Sequence, residues 1–586
     1  MAPILLNDTE LRFPDFTIVS ASAGSGKTHT LTLKILQLLL SKKVPNNRLN
    51  NVLAMTFTRN AAAEMRQRVL EYLKKAFHGD NTILDQLSPL VSINRPDLRI
   101  RCGELLETIL QDYSAFQVQT IDSFMARVFR ASALEFGYSP SIEIVLNNAA
   151  ILDAAFDQFA RELATDPSKQ KLLEELTDIY IESQNTSSKY IWDPYQKLSD
   201  EVRRLYNTLS AQSKDILTTV DGGHHVSTLR KELLDVFHEL TGLVRNSGLE
   251  MSRYFENAVA AAQGGDVDKL IELKSVHKPV KTGKSKEEKE KTEEWSRRFL
   301  PLLDRFDELA GEYVVTQAYH FYRPSIEAHN LFRGTIDRMM RRSGQVQLPD
   351  VNRILRHFIS EEIVPQVYFY LGDTISHYLI DEFQDTAPVQ WETLKPLFAE
   401  ALSKQGSLFV VGDTKQSIYA FRHADWRIMK STMEDNVFPS APPHVLELKT
   451  NYRSFEKILD FDKTVFHTVV PFVVDGEAPR ASGLSTFEQN VNEINRNKGY
   501  VEVVSFEKDE AQEQQRAKIL DIIRDCCEQR GYRYSDITIL TPKNEHVVAV
   551  SGWLNSAHIR FVSHSSLDIR GRRVTGDILA LLRFLD

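Results

Sequence analysis

At 586 residues the chain is long enough for several domains of roughly 100–200 residues each. Its 42% apolar and 26% charged residues are ordinary for a globular protein, and no apolar run nears the roughly 18 residues of a membrane span. The net charge of −9 does not advertise a nucleic-acid binder, yet it does not exclude a strand gripped in an internal groove.

The opening MAPILLNDTE has no basic cluster, so it does not form a secretory signal. Phe16–Ser20 reads as a buried strand running into a glycine-rich turn and an apolar-periodic helix from His29 to Leu40. Asn51–Thr56 runs likewise into a helix carrying Ala61, Met65 and Val69, and Gln117–Thr120 is a further short strand. Long helical patterns such as Asn147–Leu163 and Lys231–Arg245 then take over. Within them His277 to Trp295 is almost all charge, a solvated linker or an exposed helix end. Arg338, Arg341 and Arg342 read as a solvated helix face. Strand patterns resume at His377–Ile380 and Ser407–Val411, so the helical block is an insertion into an α/β domain with a mainly parallel sheet. Tyr500–Phe506 and Asp536–Leu540 read as strands around a helix Gln512–Arg530, the start of a second α/β unit, and Gly576–Asp577 reads as a helix start. The expected domains are 1–132 and 346–445 for a first α/β domain, 133–345 for its insertion and 446–586 for part of a second. Cys102 and the adjacent Cys526 and Cys527 offer neither a disulfide frame nor a zinc spacing, which fits a reducing cytoplasm.

ASAGSGKT at Ala21–Thr28 lies between a strand and a helix, the setting of a phosphate loop. Gly24 and Gly26 let backbone N–H groups of Ser22, Ala23 and Ser25 converge on phosphate oxygens, and the helix N-terminus adds its positive dipole end. Lys27 is expected on the β- and γ-phosphates and the Thr28 hydroxyl on Mg²⁺. Ala21 stands where the strict pattern has glycine. In LIDEFQD, at Leu379–Asp385, a strand ends in Asp381, placed for Mg²⁺, and Glu382 is placed to orient and deprotonate a water.

TFTRNAAAEMRQRV at Thr56–Val69, QTIDSF at Gln119–Phe124, LIDEFQDTAPVQW at Leu379–Trp391, VGDTKQSIYAFR at Val411–Arg422 and LKTNYRS at Leu448–Ser454 resemble, in order, the motifs of UvrD/Rep-type superfamily 1 helicases. GDTKQSIYAFR and the opening TIVSASAGSGKT look most like the RecB/AddA branch. The resemblance implies a RecA-like P-loop motor with a helical insertion and a partial second RecA-like domain. It also implies an ATP- and Mg²⁺-dependent DNA helicase of 3′-to-5′ polarity in DNA repair and recombination. Carried over by position, Gln416 would sense the γ-phosphate, Arg453 would be an arginine finger and Tyr452 would stack on adenine. Thr56, Phe57, Thr58, Thr120, Asp122, Ser123, Tyr419, Phe421 and Arg422 would face single-stranded DNA, the aromatics by stacking and the hydroxyls and arginine on phosphates.

Single-stranded DNA, or duplex with a single-stranded end, is the expected partner; a second helicase/nuclease subunit is a further candidate, and no membrane is expected. The family's late arginine motif and the nuclease signature of RecB and AddA do not precede Asp586, so the chain is read as the N-terminal part of a longer helicase–nuclease. A nucleotide-gated DNA-binding module without turnover is the alternative.

Overall fold

The computed structural model describes residues 5–145, 149–182, 194–210, 222–281, 286–359, 364–372, 374–474, 477–507, 511–563 and 573–585. They form two compact units, Met1–Lys498 and Gly499–Asp586.

The first unit is built on six strands: β1 (Asp15–Ala21), β2 (Val52–Thr56), β3 (Val118–Thr120), β6 (His377–Ile380), β7 (Ser407–Gly412) and β8 (His444–Leu448). All pair in parallel, in the order β3-β2-β6-β7-β1-β8. The central strands β1, β2, β6 and β7 are buried nearly throughout because both faces of the sheet are covered there, whereas the edge strand β8 stays largely exposed. Ile18, Leu53, Met55, Ile380 and Val410 join one apolar layer. Their neighbours Val19, Val52, Ala54, Leu379 and Phe409 join the other. The helices Lys27–Leu40 and Arg59–Phe77 cover the second layer, the latter through Met65, Val69, Leu73 and Ala76. Ala62 is buried in the first turn of that helix, whereas Ala61 is only partly so.

The insertion leaves through β4 (Glu143–Val145) and returns through β5 (Gln345–Gln347), which pair in parallel as a separate two-stranded sheet. The expected helix at Asn147–Leu163 is Ala149–Thr165, with 147–148 outside the described residues, and that at Lys231–Arg245 lies within Gly222–Asn246. One 58-residue helix, Lys286–Ser343, runs through two apolar clusters, contributing Phe299, Leu303 and Phe306 to one and Ala328, Phe332 and Ile336 to the other. The charged run His277–Trp295 includes its first turns, with 282–285 outside the described residues. Arg338, Arg341 and Arg342 are all exposed, as expected of a solvated face, with Arg338 pairing with Glu162 at 3.1 Å and the Arg341 guanidinium 5.0 Å from the Tyr138 ring centre.

The second unit gathers Ile523, Val550 and Leu554 between the helices Ala511–Arg524 and Asn544–Ser556. Tyr500–Phe506 and Asp536–Leu540, expected as strands, join no ladder among the described residues. β-branched composition favours extension, but a strand exists only where a neighbour takes its N–H and C=O groups. The helix expected to begin at Gly576–Asp577 runs from Arg573 to Leu585.

Candidate active site and nucleic-acid interface

In an open parallel sheet the C-terminal strand ends share one edge, where a ligand crevice forms. Every motif picked from the sequence follows such an end. The phosphate loop follows β1, Thr58 follows β2, Thr120 ends β3, Asp381 follows β6 and Gln416 follows β7. The turn of Tyr452 and Arg453 follows β8 and the two-residue β9 (Thr450–Asn451), which pairs with β10 (Asn490–Val491).

Gly24 and Gly26 have φ of 70° and 94°, the left-handed region that lets the loop turn sharply into the helix starting at Lys27. Ser25 N and Oγ both donate to Ser22 O, at 3.2 and 2.7 Å, closing the loop on itself. Thr28 sits in the first turn of that helix. Lys27 Nζ donates to Glu382 Oε2 at 2.9 Å and to Gln416 Oε1 at 3.3 Å. Gln384 Nε2 donates to the same Glu382 oxygen at 2.8 Å, while Gln384 Oε1 accepts from Asp413 N at 2.8 Å. Gln416 Nε2 donates to Asp413 Oδ2 at 2.6 Å, which completes a polar ring through Lys27, Glu382, Gln384, Asp413 and Gln416. Lys415 pairs with the other oxygen of Asp413 at 2.7 Å. Glu382 holds its place at φ 51°, ψ 48°, a left-handed conformation costing a non-glycine residue about 1–3 kcal/mol, of the kind that clusters at functional sites.

Asp381 is buried at the end of β6 and accepts from Glu382 N at 3.0 Å. Burial first, then the charge of Glu382, push its carboxyl up to about 6, against the pull of Lys27. Two neighbouring carboxylates, one of them desolvated, are a donor set that a divalent cation would stabilise. Among the described residues no three His, Cys, Asp or Glu side chains form a ready metal cage. A Mg²⁺ held here would draw its other ligands from phosphate oxygens and water, as that ion commonly does.

The strand-facing candidates divide into two groups. Phe57 and Tyr419 lie with ring centres 4.4 Å apart, and Tyr419 and Phe421 lie 5.7 Å apart. The Arg422 guanidinium is 5.7, 5.5 and 5.8 Å from the centres of Phe57, Tyr419 and Phe421. Phe421 is 74% exposed, which separates it from a core residue. The hydroxyls, by contrast, serve the backbone. Buried Thr56 donates to Thr58 O at 3.0 Å, and Thr58 caps the helix Arg59–Phe77 by accepting from Ala61 N at 3.1 Å. Thr120 caps the helix Ile121–Ala131 by accepting from Ser123 N at 3.1 Å, its hydroxyl 2.7 Å from that of Ser123. Asp122 accepts from Gln390 Nε2 at 2.8 Å; burial raises its carboxyl, opposed by that bond and by the charge of Arg422.

Tyr452 N donates to Gly24 O at 2.9 Å, bringing its turn onto the phosphate loop. The exposed Arg453 stands outside the polar ring, with its Cβ against Gly24. Gln384, Asp413, Asn451 and Gln489 acquired no role from the sequence. The first three lie inside the quoted motifs, which was the available signal; Gln489 lies outside all of them.

A phosphate loop after β1 and an acidic pair after β6, on a parallel sheet with a helical insertion, define an α/β RecA-like fold. Within that class the chain belongs to the UvrD/REP helicase family: its N-terminal domain matches residues 10–436 and the UvrD-like C-terminal domain matches 446–586. Family and compactness divide the chain at different places, because β8 is an edge of the first sheet and residues up to Lys498 belong to the first unit. Similar proteins include an ATP-dependent helicase/nuclease subunit of Oceanobacillus iheyensis, 26% identical over 479 residues, covering 75% of this chain and 37% of that one. The corresponding protein of Staphylococcus carnosus is 26% identical over 487 residues, 77% and 38% of the two chains. RecBCD enzyme subunit RecB of Escherichia coli is 24% identical over 468 residues, 75% and 36%. The chain spans a little over a third of the length of these relatives. Among the described residues no helix is long and apolar enough to cross a membrane.

Proposed function

We propose that this chain carries the motor of an ATP-driven DNA helicase or translocase. It acts on single-stranded DNA, or on duplex with a single-stranded end, with 3′-to-5′ polarity, in double-strand-break repair and recombination. Its setting is the N-terminal portion of a RecB/AddA-like helicase–nuclease, cytoplasmic and paired with a second helicase/nuclease subunit. Residues 1–132 and 346–445 make the first motor domain, 133–345 its insertion and 446–586 the second motor domain in part.

The segment Gly412–Arg422 carries this reading. Asp413 and Gln416 belong to the polar ring around Lys27, while Tyr419, Phe421 and Arg422, a few residues on, belong to the aromatic face. A change in what Gln416 touches is therefore transmitted along one short backbone to the rings that would stack bases. Thr28 and Asp381 would hold Mg²⁺, which when bound neutralises charge on the β- and γ-phosphates. Lys27 leaves Glu382 and Gln416 to meet phosphate oxygens. Glu382, still oriented by Gln384, then takes the proton of the attacking water. Tyr452 offers a ring for adenine, and Arg453 offers positive charge opposite the water.

Glu382→Gln removes the base and keeps the shape. It should bind ATP while DNA-stimulated phosphate release falls about 10²–10⁴-fold. If the unaltered chain binds nucleotide and DNA but releases phosphate no faster than the variant, the nucleotide-gated binding module replaces the motor.

A further inference from the structure

Asn451 is 2% exposed and uses both ends of its amide. Its Oδ1 accepts from Arg453 N at 2.9 Å and Ser454 N at 2.8 Å, capping the turn that carries Arg453. Its Nδ2 donates to Ala23 O of the phosphate loop at 2.8 Å and lies 3.2 Å from Gln489 Oε1. Gln489 Nε2 donates to the same Ala23 carbonyl at 3.0 Å, and Tyr452 N takes the next carbonyl, Gly24 O, at 2.9 Å. In a trans peptide the C=O and the following N–H point opposite ways, so holding Ala23 O toward Asn451 aims the Gly24 N–H away from it. The fit is close: a Cβ on Gly24 would stand 2.8 Å from Arg453 Cβ and 2.9 Å from Asn451 Oδ1.

We propose that Asn451 is a positioning residue that sets Arg453 against the phosphate loop, with Gln489 bracing the same carbonyl; this rests on the ATPase reading above. One buried amide ties the loop that grips phosphate to the backbone that delivers the guanidinium. The two cannot shift independently while it is in place. Such registration matters because a displacement of about 1 Å in a reacting group costs about 10²-fold in rate. The amide touches neither nucleotide nor water in this scheme and acts through Arg453.

The test compares ADP with ADP–aluminium fluoride, both with Mg²⁺, bound to the full 586-residue chain. The second mimics the transferring phosphoryl group and so reports where the guanidinium sits. Asn451→Ser keeps a cap oxygen but is too short to reach Ala23. It should leave ADP affinity within about twofold and lower affinity for the fluoride complex by about tenfold or more. Added to Arg453→Ala it should cost nothing further, because its effect runs through that arginine. Gln489→Ala leaves the Arg453 turn intact and should give the same selective loss at smaller size, so a misfolded Asn451→Ser still leaves a decisive variant. Equal loss for both ligands, full additivity with Arg453→Ala, or no loss at all would overturn the proposal. Lys27→Ala should lose ADP, and Arg453→Ala alone should lose the fluoride complex selectively. Failure of those two controls would strike the ATPase reading, whereas their success beside a silent Asn451→Ser strikes only the positioning role.

Discussion

Replacing Phe421 with Ala separates a ring that stacks bases from one that fills a core. Phe421 is 74% exposed, so only about a quarter of a side chain that can cover roughly 150–250 Å² is removed from water. That is on the order of 50 Å², or about 1 kcal/mol at about 25 cal/mol per Å², and an upper bound because unfolded chains also bury surface. A core ring such as fully buried Phe383 should instead lose about 3–5 kcal/mol on truncation. A ring that stacks a base should cost about 1–3 kcal/mol of binding, roughly a 5- to 150-fold weaker Kd. The expected pattern is thus a nearly unchanged Tm with a large loss of single-strand affinity, the reverse of Phe383→Ala, read by thermal denaturation and by anisotropy of a labelled oligonucleotide. Affinity for the parent should also fall with salt and vary little with base sequence, since stacking and phosphate contacts do not read bases. A variant that melts like Phe383→Ala and keeps its oligonucleotide affinity would refute the reasoning.

His377 is buried on β6 between Ser407 Oγ at 2.8 Å and Pro45 O at 2.7 Å, and burial pushes its pKa from 6.5 down to about 4. Below 6.5 the unfolded chain takes up a proton that the fold refuses, so this group's stability falls as pH drops from 6.5 to 4, by about 3 kcal/mol in all; urea titrations should show His377→Asn with a shallower acid limb, and identical limbs would sink the assignment. Gly406 and Gly242 should respond oppositely to alanine. A Cβ at Gly406 runs into the backbone oxygens of Ser376 and Ala401 and should cost about 1–3 kcal/mol, whereas Gly242, in the helix Gly222–Asn246, meets nothing within 4 Å and should gain about 0.5–1 kcal/mol, both read as shifts in the urea midpoint.

The six-stranded sheet was legible in large part because its strands are buried on both faces. Phe16–Ser20, Asn51–Thr56, His377–Ile380 and Ser407–Val411 are largely apolar or β-branched runs with polar residues only at their ends or at Thr17, and each lies within one residue of the strand at either end. The edge strand β8, HVLEL, was missed. It has one sheet neighbour, carries a glutamate and has little buried surface to mark it. Tyr500–Phe506 and Asp536–Leu540 carry the same composition as true strands, but composition reports the tendency to extend and not the presence of a partner. The long helix from Lys286 was hidden for the opposite reason. Its charged first turns have no apolar stripe, and Pro301 and Pro324 sit inside it, where a sequence reading expects breaks.

At the site, spacing along the chain selected the residues but could not say which of them touch. Lys27 meets Glu382 across 355 positions and Gln416 across 389, so the polar ring exists only because β1, β6 and β7 lie side by side and end on one edge. Once that edge is formed, three strand ends bring an ammonium, a carboxylate and an amide within hydrogen-bonding reach, and the neighbouring Gln384 and Asp413 are recruited to orient them. The hydroxyls show the converse. A helix that starts at a strand end must have its first N–H groups capped, and the Thr58 and Thr120 hydroxyls do so, while Thr56 donates to Thr58 O and the Ser123 hydroxyl pairs with that of Thr120. The contribution of Thr58 and Thr120 to any strand contact then runs through the helix ends they fix, whereas Phe57, Tyr419, Phe421 and Arg422 have surfaces left to offer. A cap and a ligand contact can share one sequence motif, and only the direction of the hydroxyl separates them. Losing the Thr58 hydroxyl would therefore first loosen the helix Arg59–Phe77, at about 0.5–2 kcal/mol for a lost cap, and only through that helix reach the DNA face.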